Sequence, residues 1–288
     1  MKAGYVAIIG KPNVGKSTLL NRLLGMKISA VTRKPQTTRN RILGILTEND
    51  YQACFIDTPG IIHPRYALQE HMVKQTKSAI ADADVVVAMV EPWLETSEPY
   101  LEIIGAAEQV PRIIVINKID LVEKSKLLPL INRLKNTLAQ EIIPISAMMG
   151  EGVEDLKTAI FRSLPEGDFI YPQDDVSDAP ERFFIADFIR EKIFEVFKEE
   201  IPYASCVLIE DYKEREKGKD YIRAAIYVEK QSQKAIIIGK NGAALKRVGE
   251  KARREIETFL DKPVYLELWV KVKENWRKNK KFLKELGY

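Results

Sequence analysis

Residues Gly10-Lys11-Pro12-Asn13-Val14-Gly15-Lys16-Ser17 read G-x-x-x-x-G-K-S and directly follow the apolar run of residues 5–9. A strand, a glycine-rich turn and a helix in that order build an anion site. The helix N-terminus offers unpaired N–H groups and the positive end of its dipole to a phosphate. Glycines at positions 10 and 15 let the backbone curl around that phosphate. Lys16 is placed to reach the outer phosphates, and the Ser17 hydroxyl to ligate Mg²⁺. Val14 and Thr18 complete the expected contacts of this loop. A turn that binds nothing would not need the strand before it or the helix of residues 17–24 after it.

Strand-like runs at 5–9, 40–46, 52–56, 85–90, 113–116 and 142–145 alternate with helical patterns at 17–24, 67–81, 99–109, 124–139 and 153–163. The turn at residues 48–50 is too short for a crossover, so the second and third runs are expected to pair antiparallel. The remainder predicts a doubly wound α/β unit with a mostly parallel sheet over residues 1–165. Residues 166–180, with two prolines and a cluster of aspartates, read as a linker. A smaller α+β domain is expected over residues 181–288.

Further motifs fall at strand ends. Asp57-Thr58-Pro59-Gly60 offers a carboxylate to Mg²⁺ and a glycine N–H to the terminal phosphate. In Asn117-Lys118-Ile119-Asp120 the Asp120 carboxylate is placed to accept from the N1–H and exocyclic amine of guanine. Adenine would leave that charge unpaired, a source of strong discrimination. Asn117 would tie this loop to the phosphate loop, and the Lys118 stem would lie along the base. Ser146-Ala147 supplies a backbone N–H for the guanine oxygen. Together the motifs predict a GTP- and GDP-binding, Mg²⁺-dependent GTPase, with Lys16, Thr38, Asp57 and Gly60 as its catalytic set and Ser17, Thr38 and Asp57 on the metal. Thr37 competes with Thr38 for the role of the switch threonine.

The residue after Gly60 is Ile61, where Ras-like GTPases carry a water-orienting glutamine. Isoleucine cannot hydrogen-bond water. Asn13 in the phosphate loop then has two readings: recruitment of K⁺ against the phosphates, or a cap within the loop itself. Cys54 and Cys206 sit in apolar runs and read as buried reduced thiols. His63 and His71 are too few and too far from a cysteine to form a zinc site. No apolar run approaches the ~20 residues of a membrane span. The first strand begins at once and leaves no room for a signal peptide, which predicts a cytoplasmic protein.

The net charge of +4 is uneven, −2 over residues 1–180 and +6 over residues 181–288, where 25 Lys+Arg face 19 Asp+Glu. A polyanionic partner is therefore expected for one domain only. Within it, Gly239-Lys240-Asn241-Gly242 gives a G-x-x-G loop between two helical patterns, where a nucleic-acid backbone can come close. Leu245, Val248, Ala252, Ile256 and Phe259 mark the buried face of the second helix, while Lys246 and Arg247 fall on the other side. Helix, two strands, G-x-x-G helix pair and strand form the order of a type II K-homology (KH) domain, a binder of unpaired RNA. In the basic terminal helix of residues 275–286, Trp276 and Lys280 are candidate stacking and phosphate contacts. Trp276, Leu283 and Leu286 alternatively form its packing stripe.

GKPNVGKS, KPQTTR, DTPG, NKID and SAM, followed by IIGKNGAALK and LELWVKVKENW, resemble the bacterial Era GTPases over essentially the whole chain. The resemblance implies a monomer acting in assembly of the small ribosomal subunit, with its KH domain on the 3′ end of 16S ribosomal RNA. Some members also associate peripherally with the inner membrane, although no amphipathic anchor is evident here.

Overall fold

The computed structural model describes residues 1–93, 110–135 and 141–288. Two compact units emerge. The expected helix at 99–109 lies outside the described residues, as does the end of the one expected at 124–139.

The first unit is a six-stranded sheet in the order β2-β3-β1-β4-β5-β6. The strands are β1 (Lys2–Gly10), β2 (Ile42–Glu48), β3 (Tyr51–Asp57), β4 (Val85–Val90), β5 (Arg112–Ile116) and β6 (Glu141–Pro144). Only β2 runs antiparallel, in register from Ile42 opposite Asp57 to Glu48 opposite Tyr51. All six residues of β4 are buried, as a strand covered on both faces requires. Among the described residues the helices are α1 (Lys16–Leu24), α2 (Ala67–Ala81), α3 (Leu127–Lys135) and α4 (Val153–Ser163). Because β1 has β3 on one side and β4 on the other, the chain reverses its winding there. The carboxyl ends of the strands open a crevice at that point.

The expected linker is not a free tether. Gln52 accepts from the Ile170 and Tyr171 N–H groups at 2.7 and 2.9 Å and donates to the Tyr171 carbonyl. The Ile45 N–H donates to the Val176 carbonyl at 2.8 Å. Residues up to Asp178 accordingly count with the first unit. Gln52 is buried, and its primary amide supplies one acceptor and two donors that an extended segment can use.

The second unit carries the sheet β7-β8-β9, formed by β7 (Cys206–Lys213), β8 (Asp220–Val228) and β9 (Val264–Val272). Strands β7 and β8 are antiparallel; β8 and β9 are parallel from Asp220 opposite Val264 to Val228 opposite Val272. Helices α5 (Glu181–Val196), α6 (Gln231–Ile238), α7 (Ala243–Leu260) and α8 (Lys280–Glu285) complete it. Val248, Ala252 and Ile256 of α7 are fully buried, and Phe259 packs on Phe184 and Phe188 of α5 at ring separations of 5.3 Å. A buried ion cluster also joins the two helices. Lys192 donates to Glu191, Glu195 and Glu255 at 2.8, 2.9 and 3.1 Å. Burial alone would lower the Lys192 pKa, but these carboxylates outweigh it and hold the ammonium above its usual range.

Residues 30–37 and 65–70 also pack with this second unit. The Val31 N–H donates to Glu191 Oε1 at 2.8 Å, and Arg190 donates to the Thr37 carbonyl and to Asp187. Lys34 Nζ donates to the Phe194 and Phe197 carbonyls at the C-terminal end of α5, where helix carbonyls lack internal partners and attract a cation. No described helix is long and apolar enough to cross a membrane.

Candidate functional site: a phosphate loop with a base-reading edge, and an RNA groove

Gly15 opens α1 with φ +107°, and a Cβ there would stand 2.2 Å from Asn117 Nδ2. Only glycine permits both the left-handed backbone and the crossing of that side chain. Lys16 is 6% exposed, with Nζ donating to the Gly10 and Lys11 carbonyls at 3.1 Å each. Its ammonium is thus held inside the loop by the loop's own backbone. Burial lowers the Lys16 pKa to about 8, an effect that the nearby Asp57 carboxylate partly opposes.

Next to it, Ser17 Oγ donates to Asp57 Oδ2 at 2.6 Å and lies 3.0 Å from Thr38 Oγ1. Ser29 Oγ donates to the same carboxylate oxygen at 2.9 Å. Hydroxyls and a carboxylate from three separate segments make an all-oxygen donor set, which suits a hard divalent cation such as Mg²⁺. Thr37 is occupied otherwise. Its hydroxyl lies 2.6 Å from that of Thr32 and donates to the Lys34 carbonyl at 2.9 Å. The structure therefore brings Thr38, not Thr37, to Ser17.

Thr58 anchors the next motif by donating to the Ile8 carbonyl at 2.8 Å. After Gly60, the Ile61 N–H donates to the Gly10 carbonyl at 3.1 Å, and the Ile61 side chain packs against the apolar core of the sheet. This position contributes hydrophobic contact and no polar group for water.

At the base-reading edge, Asn117 Nδ2 donates to the Val14 carbonyl at 2.7 Å and Oδ1 accepts the Ala147 N–H at 2.9 Å. One buried side chain thus joins the phosphate loop, the loop after β5 and the loop after β6. Ala147 belongs to the Ser146-Ala147 pair expected to offer a backbone N–H to the guanine oxygen, and Asn117 thereby fixes the position of that pair. Lys118 takes φ +67°, pairs with Glu91 and lies 5.6 Å from the Trp93 ring centre. Asp120 is exposed in a short 3₁₀ turn. Ser146 shapes the third loop: its N–H donates to the Glu151 carbonyl at 2.9 Å and its hydroxyl accepts from the Met149 N–H at 3.1 Å. Asn13, with φ +63°, lies in the phosphate loop between Pro12 and Val14. Among the described residues no group of three or more His, Cys, Asp or Glu side chains is arranged to hold a metal. His71 instead meets Asn40 Oδ1 at 3.0 Å.

In the second unit, Gly239, Lys240 and Asn241 lead from α6 into Gly242, which takes φ +77° at the start of α7 with open space where a Cβ would stand. Beside this loop lies an open groove of about 500 Å³ lined by Gly242, Lys246, Arg253, Lys219, Tyr265 and Leu268. Arg247 is exposed on α7 outside the groove lining, and Lys280 is exposed on α8. The expectation that Trp276 contacts RNA is corrected: the residue is fully buried, and its Nε1–H donates to the Ala204 carbonyl at 2.8 Å. It packs with Cys206, Phe282 and Leu283, because a buried indole with a carbonyl for its one donor is satisfied as core. Lys219 and Tyr265 escaped the sequence reading, since neither belongs to the G-x-x-G motif and only the sheet brings them to it.

The first unit is thus a P-loop GTPase domain, and the second carries a KH domain. Residues 5–118 match the family described as 50S ribosome-binding GTPase, and residues 200–277 match the KH domain family. GTPase Era of Geobacter metallireducens is 48% identical, covering 100% of this chain and 98% of its own. The ERA-like chloroplastic GTPase of Oryza sativa subsp. japonica is 46% identical, covering 100% of this chain and 69% of the relative. An Aquifex aeolicus Era variant bound to GDP·AlF₄⁻ superposes with a TM-score of 0.96 at 41% identity, covering 100% and 99% of the two chains. Era in complex with MgGDPNP and nucleotides 1506–1542 of 16S ribosomal RNA matches with the same score, identity and coverage. The chain belongs to the Era family of GTPases.

Proposed function

We propose that this GTPase acts as a nucleotide-dependent RNA binder in assembly of the small ribosomal subunit, gripping the 3′ end of 16S ribosomal RNA in its KH groove. The observation that carries the reading is the groove itself. A G-x-x-G loop, Lys246, Arg253 and Lys219 converge on one concavity, within residues 181–288, whose excess of basic residues is +6. Backbone phosphates are drawn to the cations, and bases rest against the Leu268 and Tyr265 side of the groove. That a relative has been solved with a 16S segment and MgGDPNP supports both the RNA and the metal.

At the nucleotide site, Lys16 would neutralise the outer phosphates, and Ser17 and Thr38 with Asp57 would hold Mg²⁺, which supplies electrostatic stabilisation of the transferring phosphoryl group. Asp120 would select guanine. The Ile61 side chain, packed on the core, leaves the attacking water to be oriented by other groups, so unassisted turnover is expected to be slow. The test measures GTP turnover with and without a 16S 3′-end oligonucleotide, alongside binding of that oligonucleotide. Binding to the 3′ segment no tighter than to a scrambled sequence of equal length would refute the ribosomal reading.

A further inference from the structure

We infer that Ser29, which belongs to none of the nucleotide-binding motifs, is a positioning residue for the Mg²⁺ site: its hydroxyl, tied to α1 through Asn21, fixes the Asp57 carboxylate. The inference rests on the proposed assignment of Mg²⁺ to Ser17, Thr38 and Asp57. Ser29 and Asp57 are both fully buried. Ser29 Oγ donates to Asp57 Oδ2 at 2.9 Å, the same oxygen that receives the Ser17 hydroxyl at 2.6 Å. Ser17 is itself a proposed metal ligand, so its hydroxyl has two tasks. The Ser29 hydroxyl has the carboxylate alone to serve, and can hold its orientation with or without the metal.

Ser29 is held in place by a single side chain. Asn21 Oδ1 accepts the Ile28 and Ser29 N–H groups at 3.0 and 2.9 Å, and Nδ2 donates to the Ser29 carbonyl at 2.8 Å. One primary amide thus satisfies three backbone groups of the segment that leaves α1. Ile28, 1% exposed, anchors the same segment in the core. Asn21 stands four residues after Ser17 on α1, so the two side chains emerge from one face of the helix. The helix therefore grips Asp57 at two points: directly through Ser17, and through Asn21 and Ser29 one turn further on. A carboxylate that serves a metal depends on such hydrogen bonds for its orientation, and removing the partner typically costs about 10- to 100-fold in metal affinity.

The test uses the full chain and a fluorescent GDPNP, whose binding is followed as Mg²⁺ is titrated and again in EDTA. Ser29→Ala is expected to raise the Mg²⁺ concentration at half-saturation by about tenfold or more, while binding in EDTA stays unchanged. Ser29→Thr keeps the hydroxyl and should stay nearer the unmodified value. Asn21→Ala should shift the midpoint in the same direction, and adding it to Ser29→Ala should bring little further change, because both act through one contact. Asn21 is only partly buried, so its variant carries the test if Ser29→Ala does not fold. An unmoved Mg²⁺ midpoint, equal weakening in Mg²⁺ and in EDTA, or a threonine variant no better than alanine would each overturn the inference. Asp57→Ala tests the metal assignment separately: an unchanged Mg²⁺ requirement in that variant would remove the site itself.

Discussion

The Ser17 hydroxyl donates to the Asp57 carboxylate at 2.6 Å, joining two segments forty positions apart in sequence. Thr38 adds its own hydroxyl 3.0 Å from Ser17. If this oxygen cluster is the metal site, Thr38→Ala should raise the Mg²⁺ concentration needed for half-maximal GTP turnover and lower the maximal rate, while leaving GDP affinity nearly intact. Thr37→Ala should change neither by much, because its hydroxyl serves Thr32 and Lys34. A Mg²⁺ titration of both variants decides between them, and the opposite ranking would reassign the switch threonine.

Asp120→Asn should weaken GTP binding by a few kcal/mol, since a carboxylate accepting two hydrogen bonds becomes an amide that can accept only at one. Xanthosine triphosphate, whose C2 carbonyl can accept from the new amide, should bind the variant better than the unmodified chain. Competition binding with both nucleotides checks this.

The Lys16 ammonium should couple nucleotide affinity to pH. Its folded pKa, lowered to about 8 by burial, lies below the ordinary value of 10.5. In the free protein the proton is lost as pH rises through 8, and bound phosphates restore it. Well below pH 8 the lysine is charged before and after binding, so it exchanges no proton. By linkage, the number of protons Lys16 takes up on binding should grow as pH rises through about 8 and fade well below it. Calorimetry of GDP binding in buffers of different ionisation enthalpy reads that number directly. The same shift bears on folding: stability should rise with pH between about 8 and 10.5, where the unfolded chain holds the extra proton.

Gly242→Asp and Trp276→Ala should separate contact from core. Gly242 takes φ +77° in open space, so aspartate there adds strain and a negative charge beside the RNA groove. RNA affinity should fall more than tenfold with little loss of nucleotide binding. Trp276→Ala should instead cost about 3–5 kcal/mol of stability in the second unit, the range for emptying a buried large aromatic. Thermal melting and RNA titration of both variants distinguish the two. A Trp276→Ala variant that melts normally but loses RNA would restore the indole as a contact.

The apolar Ile61 predicts that hydrolysis draws on a group the Ras-like arrangement does not use. If Asn13 helps to hold K⁺ against the phosphates, turnover should drop when K⁺ is replaced by Na⁺, and Asn13→Ala should abolish the difference. Equal rates in both salts would leave Asn13 as a loop cap.

Much of the nucleotide site was legible from residue order. A phosphate loop depends on a handful of adjacent residues in fixed backbone conformations, and the G-x-x-x-x-G-K-S, DTPG and NKID stretches carry that information locally. Most of the buried face of α7 was legible for a similar reason, since 3.6-residue periodicity is a property of neighbouring positions, although Leu245 lines the groove instead. What only the tertiary structure decided are the relationships between distant segments. Thr37 and Thr38 are chemically alike, and the choice between them rests on which hydroxyl the fold sets beside Ser17 and which it gives to Thr32. Trp276 looked equally suited to stacking and to packing until the Ala204 carbonyl and Cys206 were found around it. Ser29 carried no signal at all, being one hydroxyl in a loop, until folding brought the Asp57 carboxylate to it. Helix and turn signals arise from contacts within a few residues, whereas side-chain partners are set by loop closures over tens or hundreds of residues, whose outcome no local pattern records.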